Sequence, residues 1–176
     1  YLSDVGTGIL GISIVTILGS ICCIQSSFPY NILILIFFIL GISYFTSWSL
    51  IDVDFSNIII AGGVTIIDTL FITFISLFWN FNISFMNQFL SIGFLTLIML
   101  SLVNMFIMSN FLQLIIAGTG SIIFSGFILY DTKTITSNNT REYTKHDYVA
   151  ASINLYLDIL NLFIYVLQCL IITDTN

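Results

Sequence analysis

Long, nearly charge-free apolar runs decide what this chain can fold into. Residues 5–24, for example, contain no Asp, Glu, Lys or Arg. A bilayer core needs about 20 predominantly apolar residues per helix. In lipid, only helices and closed barrels satisfy their own backbone polar groups. Barrel strands read as alternating segments of about 10 residues; these runs are continuous, so they predict helices. Only 7% of the chain is charged, against about 25% in soluble domains. The expectation is an all-α polytopic membrane protein, integral and multi-pass, with the lipid bilayer as its first partner.

Six spans are predicted, at about 5–24, 31–51, 57–79, 86–108, 111–136 and 148–172, within one transmembrane helical domain covering 1–176. Polar breaks separate them: Gln25 to Pro29, Asp52-Val-Asp54, Asn80 to Ser84, Ser109-Asn110, and the loop from Ser137. These links are short, which predicts that sequential helices are mostly antiparallel neighbours. The three cations, Lys133, Arg141 and Lys145, all fall between Thr132 and Asp147. Short cytoplasmic loops carry the excess Lys and Arg, so this loop is expected in the cytosol and Asn176 on the other side. Counting back places Tyr1 outside too; one more helix upstream would return the N-terminus to the cytosol. The sequons at Asn82 and Asn138 then face the cytosol and stay unglycosylated.

Charge also excludes functions. A net charge of -6 with three cations cannot form a phosphate-binding surface, so no nucleic-acid partner is expected. Cys22, Cys23 and Cys169 lie in apolar runs without metal-ligand spacing. Gly6-Thr-Gly8-Ile-Leu-Gly11 matches a dinucleotide fingerprint but follows no strand. Close helix packing is its better account, and Gly62, Gly63, Gly118, Gly120 and Gly126 read alike. His146 sits in the basic loop, either solvated or tuning nearby carboxylates. No tightly bound cofactor is expected.

The carboxylates inside the apolar runs carry the chemistry. Asp68 interrupts the third span: an ionisable group in the membrane is a functional candidate by default, and a carboxyl bonded to a neighbouring Ser or Thr is the alternative. In the last span, Asn154, Asp158, Asn161, Tyr165 and Gln168 are spaced by steps of four, three, four and three. That spacing forms one narrow stripe along a helix, which lipid would reject. It serves either as glue between helices or as a polar pathway. Asp158 lies ten residues past Tyr148, about 15 Å along the helix, near mid-bilayer. Asp131 can reach it if the fifth span continues to Thr136, and no Gly or Pro interrupts that stretch. Two carboxyls in contact at low dielectric share a proton and titrate as a pair. Deprotonated, they repel each other and attract a hard cation such as Ca²⁺. Asp131 and Asp158 are therefore the candidate pH sensor and gate, and transient Ca²⁺ ligands.

Leu129-Tyr-Asp131-Thr, the short polar loop, and Asn154-Leu-Tyr-Leu-Asp158-Ile-Leu-Asn-Leu-Phe163 together resemble the Bax inhibitor-1 family. This is also called the transmembrane BAX inhibitor motif family and has bacterial relatives. Leu102-Val-Asn104-Met-Phe106 adds to the likeness, which is specific from about Leu100 to Leu170. The resemblance implies a seven-helix bundle with the C-terminal helix central, one helix more than the six counted here. It implies a pH-sensitive Ca²⁺ leak, with suppression of cell death in eukaryotic and viral members, and it maps the family's paired aspartates onto Asp131 and Asp158. The family's pair is bonded in the closed state by an Arg from the second helix; the matching region, Tyr1–Tyr30, has no Arg or Lys.

Three functions compete. The leading one is a pH-gated Ca²⁺-leak channel, not an enzyme, with Ca²⁺ as permeant ion. The second is a non-transporting interaction protein that acts on membrane-protein partners. The third is an intramembrane aspartyl protease; Tyr130-Asp131 fits its first motif, whereas Tyr156-Leu-Asp158 lacks the Gly-x-Gly-Asp of the second. The membrane is expected to be a bacterial plasma membrane, or that of the ER or Golgi.

Overall fold

The computed structural model describes residues 30–79, 82–136 and 148–174. Five helices occupy them: α1 (Tyr30–Ser49), α2 (Phe55–Phe78), α3 (Ile83–Ile107), α4 (Asn110–Thr136) and α5 (Tyr148–Asp174). Four helical stretches, Phe55–Phe78, Ile83–Ile107, Asn110–Thr136 and Ala150–Asp174, are long and apolar enough to cross a membrane; α1 contributes a shorter apolar stretch, Phe38–Trp48. Six spans were expected. The first of them, about 5–24, lies outside the described residues, as do the Gly6 motif, Cys22, Cys23, Asn138, Arg141, Lys145 and His146.

Many hydroxyl residues in these helices bond within their own helix. Thr65 donates to the Ala61 carbonyl at 2.8 Å, Thr96 to Ile92 at 2.8 Å, Ser121 to Ala117 at 2.9 Å and Thr134 to Tyr130 at 2.9 Å. Each bond is four residues back along the chain, and it spares the hydroxyl the cost of sitting unpaired in hydrocarbon. The α3–α4 connection is tight. Met108 ends α3 in the left-handed region, with φ of 53°, and the Asn104 side-chain oxygen accepts from the Ser109 amide at 3.3 Å.

Packing departs from the chain order. Among the described residues, α4 packs against α2, α3 and α5, while α5 packs against α1, α2 and α4. The consecutive pairs α1–α2 and α2–α3 do not pack together, so the expectation that sequential helices are neighbours fails for them. The reason lies on α2. Its buried face is Asn57, Ala61, Thr65, Ile72 and Ser76, small or polar except for Ile72. Its large apolar residues, among them Ile59, Ile66, Ile67, Phe71 and Phe74, are exposed, as lipid-facing groups are. Asn57, Asp68 and Ser76 of α2 find their partners on α5 and α4, and that draws the helix onto the central pair.

Small residues set the close contacts. A Cβ on Gly126 would lie 2.6 Å from Leu90 Cδ2, and one on Gly93 would lie 3.1 Å from Ile123 Cδ1; these are the α3–α4 contacts. Gly120 lies under the Tyr165 ring on the α4–α5 seam. Gly62, Gly63 and Gly118 were expected to do the same, but a Cβ on any of them meets nothing within 4 Å. They sit where no helix approaches.

Candidate functional site

The α4–α5 seam carries the site. It is antiparallel, so residues late in α4 meet residues early in α5. Its middle is apolar: Phe124, Ile128, Leu162 and Tyr165 belong to one buried cluster with Ile72, Leu97 and Ile116. Phe124 and Tyr165 stack with centroids 5.5 Å apart and planes 23° apart. Beyond this plug, toward the end of α4, the seam turns polar.

Asp131 is buried, 6% exposed, and Asp158 is half-buried. The two carboxyls face each other across the seam, close enough to interact directly. Asp131 reaches the seam because α4 continues past it to Thr136.

The remaining stripe residues take different roles. Asn154 and Asn161 are half-buried, and the Asn161 amide donates to its own helix at the Leu157 carbonyl, 2.8 Å away. Tyr165 is buried as an aromatic of the core. Gln168 is buried, and its side-chain oxygen has no hydrogen-bond partner among the described residues. Asp68 lies apart from the pair, on α2, where it accepts from the Ser125 hydroxyl of α4 at 2.9 Å. The structure thus brings Asp131 and Asp158 together and leaves Asp68 with a different partner. Among the described residues, no three His, Cys, Asp or Glu side chains gather as a metal set.

Several polar groups at these seams were not anticipated. Ser76 of α2 donates to the Leu129 carbonyl at 3.2 Å, and the Lys133 ammonium donates to the Ser76 carbonyl at 3.1 Å. The Asn57 amide donates to the Asp174 carboxylate at 2.7 Å. The signal was available: Asn57, Ala61, Thr65, Asp68, Ile72 and Ser76 follow helical steps of four, four, three, four and four, an inward stripe of mostly small and polar residues.

This is a polytopic helical membrane protein with a carboxyl pair on the seam of its two C-terminal helices. The sequence matches the family described as "Inhibitor of apoptosis-promoting Bax1" over residues 3–175, and the chain belongs to that family. An uncharacterized membrane protein of Vibrio cholerae is 38% identical over 95 residues, 54% of this chain and 40% of its own length. The Golgi anti-apoptotic protein of vaccinia virus strain Lister is 40% identical over 78 residues, 44% of this chain and 31% of its own. Bax inhibitor 1 of Schizosaccharomyces pombe is 35% identical over 99 residues, 56% of this chain and 35% of its own. The chain therefore aligns with less than half the length of each of these relatives.

Proposed function

We propose that this chain is a pH-sensitive Ca²⁺-leak channel of the Bax inhibitor-1 type, gated by the Asp131–Asp158 pair. One observation carries the reading: two carboxyls facing each other across the seam of the two innermost helices. With one proton between them the carboxyls hold α4 and α5 together. When that proton leaves, two like charges face each other at low dielectric, where their repulsion is far stronger than in water. The seam then opens and the carboxylates face a cation. A resident Ca²⁺ takes about six to eight oxygens. Two carboxylates supply fewer, so the ion keeps part of its water and binds in passing. Asn154, Asn161 and Gln168 continue the polar side of α5, with the Tyr165 ring between Asn161 and Gln168 in the apolar plug, and Asp68 adds a further ionisable group on α2. A cell-death-suppressing role accompanies the leak, in line with the names of the viral and yeast relatives.

The test is Ca²⁺ flux in liposomes from about pH 5 to about pH 8, a range chosen to span the release of a shared proton. Flux is expected to rise with pH as the pair loses its proton. Asp131→Asn and Asp158→Asn are expected to remove that pH dependence, because the amide neither shares the proton nor gains charge. Wild-type protein without flux at any pH would sink the channel reading and favour a non-transporting protein that acts on a membrane partner.

A further inference from the structure

Lys133 is the one Lys or Arg among the described residues, and its ammonium reaches the Ser76 carbonyl in the last turn of α2. That carbonyl is one of the four that a helix end leaves without an internal partner, and a cation there also suits the helix dipole. Ser76 answers in the other direction, its hydroxyl donating to the Leu129 carbonyl, and it is 1% exposed. The end of α2 thus grips α4 at Leu129 and at Lys133. At about 100° per residue these two share one face of α4. Asp131, midway between them, points from the opposite face, toward Asp158. The clasp holds the back of the turn whose front carries the carboxyl.

We propose that Lys133 and Ser76 are positioning residues that clamp the Leu129–Lys133 turn against α2 and so keep Asp131 seated on Asp158. The proposal rests on the reading of Asp131 and Asp158 as the responsive pair. Any tilt or rotation of α4 that separates the carboxyls moves Leu129 and Lys133 against Ser76 and strains both bonds. The clasp sets how readily the pair parts. Both bonds end on backbone carbonyls, so the clasp acts on the helices themselves.

The test reads the position of the carboxyls without any ion crossing. Protein in lipid nanodiscs is treated with a water-soluble carbodiimide and an amine, and each carboxyl's modification rate is followed by mass spectrometry. In Lys133→Met, labelling of Asp131 and Asp158 is expected to rise about tenfold, the worth of one lost charge-assisted hydrogen bond. Asp52 and Asp54, on the α1–α2 link, serve as unchanged references. Lys133→Arg is expected to label as wild type. Ser76→Ala removes only the hydroxyl arm, and a rise of about twofold at the same two carboxyls is expected.

No rise in Lys133→Met would overturn the proposal, as would an equal rise in Lys133→Arg. An equal rise at Asp68 means general loosening and overturns it too. Should Lys133→Met not fold, Ser76→Ala carries the test, and wild-type labelling there refutes the clasp. A selective rise in a protein that passes no Ca²⁺ keeps the clasp and rejects the leak, so the two failures are distinguishable.

Discussion

Gly120 shows how little room the central seam has. A Cβ there would lie 2.6 Å from Tyr165 Cδ1 and 2.7 Å from Cε1. The ring cannot yield easily, because it is stacked on Phe124. Gly120→Ala is expected to cost about 1–3 kcal/mol, the usual range for overpacking. Gly62→Ala makes the control, since nothing lies within 4 Å of its added carbon. It removes only the backbone freedom of glycine, a gain of about 0.5–1 kcal/mol. Thermal unfolding in detergent orders the three proteins, with Gly62→Ala highest, wild type between and Gly120→Ala lowest. Both glycines look alike in the sequence, each within a small-residue stretch of an apolar helix. What separates them is which helix comes to lie beside them, and that is a property of the assembled bundle.

At the scale of a helix, α2 is the instructive element. Its buried face is the less apolar one, the reverse of a soluble amphipathic helix. In lipid the apolar residues lose nothing by facing outward, whereas each polar group needs an interior partner. Asp68 has one in Ser125, and this bond alone would account for a polar side chain at that position. Asp68→Asn separates the roles, because an amide oxygen still accepts from the hydroxyl. The unfolding temperature is expected to hold, a change within about 0.5 kcal/mol, while Ca²⁺ flux near neutral pH falls if the carboxyl lies on the ion's route. Unchanged flux would leave Asp68 as a link between helices and nothing more. The membrane-spanning character of α2 to α5 was legible in the sequence, since run length and near absence of charge suffice for it. The partners of α2 were not. A single Asp in an apolar run signals a polar need without saying which neighbour meets it, and the short links pointed to the wrong neighbours. On α5 the spacing from Asn154 to Gln168 placed a polar stripe on one side. It could not show that Asn161 would turn back on its own helix or that Tyr165 would stack within an apolar core.

Across the whole molecule, charge is sorted by end. The start of α2 meets the end of α5 through Asn57 and Asp174, and the α1–α2 link beside that start carries Asp52 and Asp54. At the opposite end, α2 finishes against Lys133 of α4, and the chain continues from Thr136 toward Arg141 and Lys145. Among the described residues, one end carries Asp52, Asp54 and Asp174 and the other carries Lys133, and the pair lies in the half of the seam nearer Lys133. Short loops rich in Lys and Arg stay in the cytosol, so cytosolic pH is the pH that the pair would read. Single cysteines in a background with Cys22, Cys23 and Cys169 replaced decide the orientation. With a membrane-impermeant thiol reagent, Asn82→Cys on the α2–α3 link is expected to label only in inside-out vesicles. Asp52→Cys is expected to label only in right-side-out vesicles. The reverse pattern would turn the bundle over and put the pair nearer the external or luminal side. The gate would then respond to the pH of that compartment, and flux in oriented liposomes would follow the opposite bath.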